Sequence, residues 1–138
     1  MQPNEPVSPD GTAPRSVIVA DDTIEIQLLL AMWLRAGGWL VKCASTGNEV
    51  TRLLRQQHFD LIVTDMIMPD GDGLDVMAEL KRTHSNVPVL AISGGGRHLQ
   101  AEACLKFAKG LGAHDVLFKP FNREQFMAAV DRLTQGGV

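Results

Sequence analysis

From Ser16 to the C-terminus, short apolar runs alternate with longer segments of helical spacing. The runs are Val17–Ala20, Leu40–Ala44, Leu61–Thr64, Val87–Ile92 and Val116–Phe118, each mostly apolar on both faces. That composition suits strands covered on both sides, as in a parallel sheet. Between them, Ile26, Leu29, Leu30 and Trp33 recur at i, i+3, i+4 and i+7 and predict a first helix stopped by Gly37-Gly38. Val50, Leu53 and Leu54 follow Thr46-Gly47-Asn48-Glu49, a capping-box pattern that opens a second. Leu74, Met77 and Leu80 mark a third helix, and Ala101, Cys104, Leu105 and Ala108 a fourth that ends near Gly110–Gly112. Phe126, Val130 and Leu133 mark a fifth, opened by Asn122 with Gln125 three residues on. A β-α unit repeated in this way, with right-handed crossovers, predicts an α/β fold: a parallel sheet with helices on both faces.

Sites in such sheets lie beyond the carboxyl ends of the strands, where strand order reverses. The first predicted strand ends in Asp21-Asp22, the third in Asp65, the fourth in Ser93, and the fifth in Lys119 followed by Pro120. Taken singly, Asp22 reads as a helix cap, Asp65 as a loop residue, Ser93 as a turn former and Lys119 as a solvated lysine. Taken together they converge on one sheet edge. Three adjacent carboxylates repel one another unless a cation joins them, and an all-oxygen donor set favours Mg²⁺ or Mn²⁺. A carboxylate is also a nucleophile able to form an aspartyl phosphate. Phosphoryl transfer asks chiefly for positioning and charge neutralisation, which a metal, an ammonium and a hydroxyl around one Asp supply.

Composition narrows the field. The 138 residues suggest one domain. Thirteen basic against sixteen acidic residues give a net charge of -3, which argues against nucleic-acid binding by bulk positive charge. No apolar run approaches the ~20 residues that cross a bilayer, and residues 1–15 have no apolar core of a secretory signal. That stretch holds four prolines among small polar residues and is expected to be a disordered tail. Cys43 and Cys104 sit in apolar contexts without C-x-x-C spacing, pointing to a reduced, cytoplasmic setting.

The segments V-I-V-A-D-D-T (Val17–Thr23), L-I-V-T-D-M-I-M-P-D-G-D-G (Leu61–Gly73), A-I-S (Ala91–Ser93) and F-K-P-F (Phe118–Phe121) resemble the receiver domain of two-component response regulators. The resemblance runs from about Ser16 to the C-terminus. It implies a flavodoxin-like doubly wound five-stranded sheet in the order 2-1-3-4-5 with five helices. It also implies that Asp65 accepts a phosphoryl group from a histidine kinase or histidine phosphotransfer protein. Asp22, Asp65 and the backbone carbonyl of Ile67 would bind Mg²⁺, with Asp21 helping through water. Lys119 would pair with Asp65 and then with a phosphoryl oxygen, Ser93 would hydrogen-bond the phosphoryl group, and Pro120 would follow a cis peptide bond. Met68-Pro69 and Gly73 would shape the loop into the third helix. Val116 stands where the family usually carries Tyr or Phe, so the usual aromatic switch coupled to Ser93 has no ring to move. Phe118 shares its strand face and is expected in the core. The loop Gly94-Gly95-Gly96-Arg97, with its backbone freedom, is expected to carry the conformational change instead.

After the fifth helix only a few residues remain, so the chain reads as a stand-alone receiver over residues 16–138 without an output domain. Its output would be binding to another protein through the fourth helix, fifth strand and fifth helix, or onward phosphotransfer. Competing motifs fall short. The loop opened by Asp70–Asp75 has Asp75 and Lys81 where a calcium loop needs Gly at its sixth and Glu at its twelfth position, and no P-loop is present. A flavin phosphate would be repelled by Asp21-Asp22. His58, His84, His98 and His114 show no metal-ligand spacing, and Met66 and Met68 serve equally as core or partner contacts. Two alternatives of other classes remain: a phosphorylation-independent interaction module, and a serine hydrolase using Ser93 in Ala91–Gly95 with His114 and Asp115.

Overall fold

The computed structural model describes residues 14–65, 78, 80, 82, 86–93, 110 and 112–135. Its five strands are β1 (Ser16–Ala20), β2 (Leu40–Ala44), β3 (Leu61–Asp65), β4 (Val89–Ser93) and β5 (Asp115–Phe118). They form one sheet, all parallel, in the order β2-β1-β3-β4-β5. The order reverses beside β1, which opens a crevice between the carboxyl ends of β1 and β3.

Alternation along the strands feeds two cores. Val17, Val19, Leu61, Val63, Leu90 and Ile92 face α1 (Ile24–Ala36) and α3 (Arg123–Gln135), which contribute Leu30, Leu34, Phe126, Ala129 and Val130. Ile18, Ala20, Ile62, Val89, Ala91 and Val116 face the other way, against Val50 of α2 (Gly47–Gln56), Phe59 and Leu80. Ala78, Leu80 and Arg82 are helical. The rest of the predicted third helix and the body of the fourth, with Cys104, lie outside the described residues. So do residues 1–13, 66–77 and 94–109.

The helix ends follow local chemistry. Gly38, at φ 92°, takes the left-handed conformation that closes α1. Its N–H donates to Arg35 O and that of Trp39 to Leu34 O, at 3.0 and 3.1 Å. At α2 the Thr46 hydroxyl accepts from Glu49 N, while the Glu49 carboxylate reaches Ser45 N, one residue before the cap. At α3 the box is reciprocal: Asn122 Oδ1 accepts from Gln125 N at 2.8 Å and Gln125 Oε1 from Asn122 N at 2.9 Å.

Three expectations need correction. The buried stripe of α1 is Gln27, Leu30, Ala31 and Leu34, with Ile26 and Trp33 only half-buried and Leu29 exposed. Apolar residues surround this helix on nearly every side, so the hydrophobic pattern left its phase open and packing chose it. Strand β2 is not covered on both faces, since Lys42 and Cys43 are exposed. It is an edge strand, and Leu40 and Val41 reach only partial cover while Ala44 alone is fully buried. Finally, Arg15 belongs to the fold rather than to a tail. Its carbonyl accepts from Leu40 N at 2.9 Å, and its guanidinium lies 4.5 Å above the Trp39 ring.

Candidate functional site: an acidic pocket at the carboxyl edge of the sheet

Asp21 and Asp22 follow β1 directly, and Asp65 is the last residue of β3. The pairing of Ala20 with Thr64 sets those two strand ends level. One carboxylate oxygen from each of Asp21, Asp22 and Asp65 lies within 4.8 Å of the others. Lys119 follows β5, and its backbone N–H extends the ladder by donating to Ser93 O at 2.9 Å. Its Nζ reaches back across the edge to within 3.5 Å of Asp21 Oδ2 and 3.8 Å of Asp65 Oδ2. The Lys119–Pro120 peptide bond is cis. Ser93 ends β4 opposite Phe118 of β5.

The three carboxylates differ in exposure. Asp21 is 1% exposed, the Asp65 side chain 13%, and Asp22 lies open to solvent. Asp21 Oδ1 accepts from Thr23 N at 2.8 Å. Its Oδ2 is buried without a hydrogen-bond partner. Asp22 does not cap α1: the N-cap is Thr23, whose own side chain makes no capping bond. The turn made by Asp21 and Thr23 begins the helix instead.

A divalent cation suits this arrangement. The donors are hard oxygens, as Mg²⁺ or Mn²⁺ requires. The orphaned Oδ2 of Asp21 is a buried acceptor with unused lone pairs, and three negative charges against one ammonium leave an excess that a doubly charged ion balances. Three carboxylate oxygens within 4.8 Å of one another leave an octahedral ion short of ligands, so water would complete the set. Ile67, expected to lend its carbonyl, lies outside the described residues, as do Met66, Met68, Pro69, Gly73 and Gly94–Arg97.

The switch position, Val116, is buried at 8% exposure, and Phe118 packs against the same core from a half-buried position. Beside the pocket a groove of about 240 Å³ runs between α1 and the β5–α3 turn, lined by Ile26, Leu29, Trp33, Pro120 and Phe121 next to Lys119. Trp33, Phe121 and Phe126 form an aromatic cluster beneath it, with centroids 5.8–6.5 Å apart.

The serine hydrolase alternative does not survive this geometry. His114 precedes β5 and its N–H bonds Val89 O, at the start of β4, whereas Ser93 ends that strand. Four residue steps separate them, about 13 Å along the strand. His114 Nδ1 is moreover occupied as the acceptor for Val89 N at 3.0 Å.

The sequence matches the response regulator receiver domain over residues 17–131. The chain belongs to the response regulator receiver family. Among curated relatives, the transcriptional regulatory protein CpxR homolog of Haemophilus influenzae is 32% identical over 114 residues, 83% of this chain and 48% of that protein. The chain spans less than half the length of the curated relatives it matches. Among solved structures, the receiver domain of Francisella response regulator 1452 superposes with a TM-score of 0.79 at 26% identity, covering 90% of this chain and 99% of that one. The receiver domain of sensor histidine kinase PA1611 of Pseudomonas aeruginosa gives 0.77 at 25% identity, covering 89% and 99%; its structure has a magnesium ion coordinated in the active-site cleft. Membership places this receiver among signalling phosphoacceptor domains rather than classical enzymes. Among the described residues, no helix is long and apolar enough to cross a membrane.

One side chain of the pocket escaped the reading of the sequence. Gln27 is 5% exposed and donates to backbone behind Asp21. The available signal was a lone amide among the apolar residues in the middle of the helix, but with the helical phase open it could not be assigned inward.

Proposed function

We propose that this receiver stores a phosphoryl group on Asp65, taken from a histidine kinase or histidine phosphotransfer protein. The observation that carries this is the contrast among the three carboxylates around Lys119. Asp21 is sealed and tied by Oδ1, and Asp22 makes no described ion pair with Lys119. Asp65 is the carboxylate that lies beside the ammonium and reaches solvent. An Asp65 oxygen attacks phosphorus, the new P–O bond forms as the donor's P–N bond breaks, and the imidazole leaves and takes up a proton. Lys119 neutralises charge on the transferred oxygens, and Ser93 on the neighbouring strand end hydrogen-bonds one of them.

Asp22, Asp65 and the Ile67 carbonyl would hold Mg²⁺ or Mn²⁺, with Asp21 acting through water. Bound there, the ion supplies charge neutralisation for the incoming group. The apolar groove beside Lys119 supports a donor that lands on α1 and the β5–α3 turn, since such a surface gains by being covered. With Val116 at the switch position, the response is carried by the loop Gly94–Arg97 and read by a partner on the face of the fourth helical segment, β5 and α3, or by onward phosphotransfer.

The test is exposure to acetyl phosphate with Mg²⁺, followed by intact-protein mass spectrometry. Wild type gains one phosphoryl group, and Asp65→Ala and metal-free wild type gain none. A phosphorylated Asp65→Ala protein would overturn the assignment. Wild type refusing both acetyl phosphate and histidine kinases would leave a phosphorylation-independent interaction module.

A further inference from the structure

An amide buried in an apolar helix is unfavourable unless its hydrogens find acceptors. Gln27 lies on the core stripe of α1 at 5% exposure, and its Nε2 meets three acceptors. These are Asp21 O at 2.6 Å, Ala44 O at 3.0 Å and Ser45 Oγ at 2.9 Å. Both carbonyls only accept, which fixes the orientation of the amide. With two hydrogens for three acceptors, the short bond to Asp21 O takes one, and Ala44 O and Ser45 Oγ share the other. Asp21 N also donates to Ala44 O, at 3.1 Å. The carboxyl ends of β1 and β2 are thereby clamped to one side chain of α1.

For Asp21 the consequence is complete restraint. Its N–H is held by Ala44, its carbonyl by Gln27, and its Oδ1 by Thr23 N. What remains is Oδ2, buried, without a hydrogen-bond partner and 3.5 Å from Lys119 Nζ. A net change in ψ at Asp21 would turn its carbonyl and swing Asp22, with its carboxylate, relative to Asp21. The bond from Gln27 opposes that rotation.

We infer that Gln27 is a positioning residue for the acidic pocket: by holding the Asp21 carbonyl it sets the Asp21–Asp22 pair for the cation and the phosphoryl group. This deepens the proposed function and rests on it. Outer partners that orient metal ligands typically change metal affinity roughly 10–100-fold when removed. Gln27→Met keeps the length and loses both donors. Gln27→Asn keeps the amide but is one methylene too short to reach Asp21 O.

The test is Mn²⁺ titration of the full chain, followed by the electron paramagnetic resonance of the free ion, with thermal unfolding in chelator run alongside. Gln27→Met and Gln27→Asn should bind Mn²⁺ roughly 10–100-fold more weakly than wild type, and Ser45→Ala, which leaves the bond to Asp21 O, should bind like wild type. If one Gln27 variant does not fold, the other decides. Lowered melting with unchanged Mn²⁺ affinity would reduce Gln27 to a structural role and overturn the inference while leaving Asp65 as acceptor. A Ser45→Ala loss equal to that of Gln27→Met would overturn it as well, by placing the effect in the β2–α2 turn. Wild type that binds no Mn²⁺ would overturn the function first, and the inference with it.

Discussion

In metal-free, low-salt buffer, Asp65→Asn should make this receiver more stable. The Asp65 carboxylate is attracted to Lys119 Nζ at 3.8 Å, worth about 4.4 kcal/mol at an effective dielectric of ~20. It is repelled by Asp21 and Asp22, whose oxygens lie within 4.8 Å, at about 3.5 kcal/mol or more each on the same scale. The two repulsions exceed the attraction to Lys119 by about 2–3 kcal/mol, and the exposure of Asp22 trims that to roughly 1–2 kcal/mol. For a domain of this size the gain corresponds to a rise in melting temperature of about 4–8 °C. Differential scanning calorimetry in chelator measures it directly. Adding Mg²⁺ should raise wild type by up to about 2.7 kcal/mol at a hundredfold excess over the dissociation constant and leave the variant nearly unchanged, closing or inverting the gap. Salt should shrink the metal-free difference, because one of the repelling charges faces solvent. If Asp65→Asn melts at or below wild type without metal, the carboxylates do not repel as their separation requires, and the argument for a cation fails with it.

Other consequences are simpler to check. Leu30→Ala should cost about 2–5 kcal/mol in urea unfolding, and Leu28→Ala within about 0.5 kcal/mol of nothing, because Leu30 is 2% and Leu28 61% exposed on the same helix. Equal costs would mean that the phase of α1 is wrong. His114→Ala should destabilise by about 1–3 kcal/mol through loss of the acceptor for Val89 N, read as a lower denaturant midpoint with unchanged slope. Partial desolvation of the Cys43 sulfur, on an otherwise exposed residue, pushes its thiol up from its ordinary value, with Arg35 opposing. Less thiolate is then present at any given pH, so Cys43 should alkylate more slowly than an unperturbed cysteine, and more slowly still in Arg35→Ala. Site-resolved mass spectrometry after iodoacetamide treatment distinguishes this from an accelerated reaction.

Much of this receiver was legible in its residues because the deciding physics is local. A β-branched apolar run is a strand wherever it is covered, and a strand ending in Asp, Lys or Ser puts that group at the carboxyl edge of any parallel sheet. Gly37-Gly38 and the Asn122–Gln125 box mark helix ends by chemistry that needs no partner. Asp21, Asp22, Asp65, Ser93 and Lys119 could therefore be gathered on one edge from chain order and a handedness rule.

What only the tertiary structure decided are properties of one group relative to another far along the chain. The phase of α1 is such a property: a helix apolar nearly all round has no preferred inward face until the sheet and α3 choose one. The partial exposure of β2 follows from its place at the sheet's edge, which its own composition does not reveal. Asp21 and Asp22 are adjacent and chemically identical, yet one is buried and one is wet, because Gln27, Ala44 and Thr23 close around the first and, among the described residues, nothing comparable closes around the second. Burial and hydrogen bonding are sums over neighbours in space, so the chain alone can name the carboxylates but not rank them.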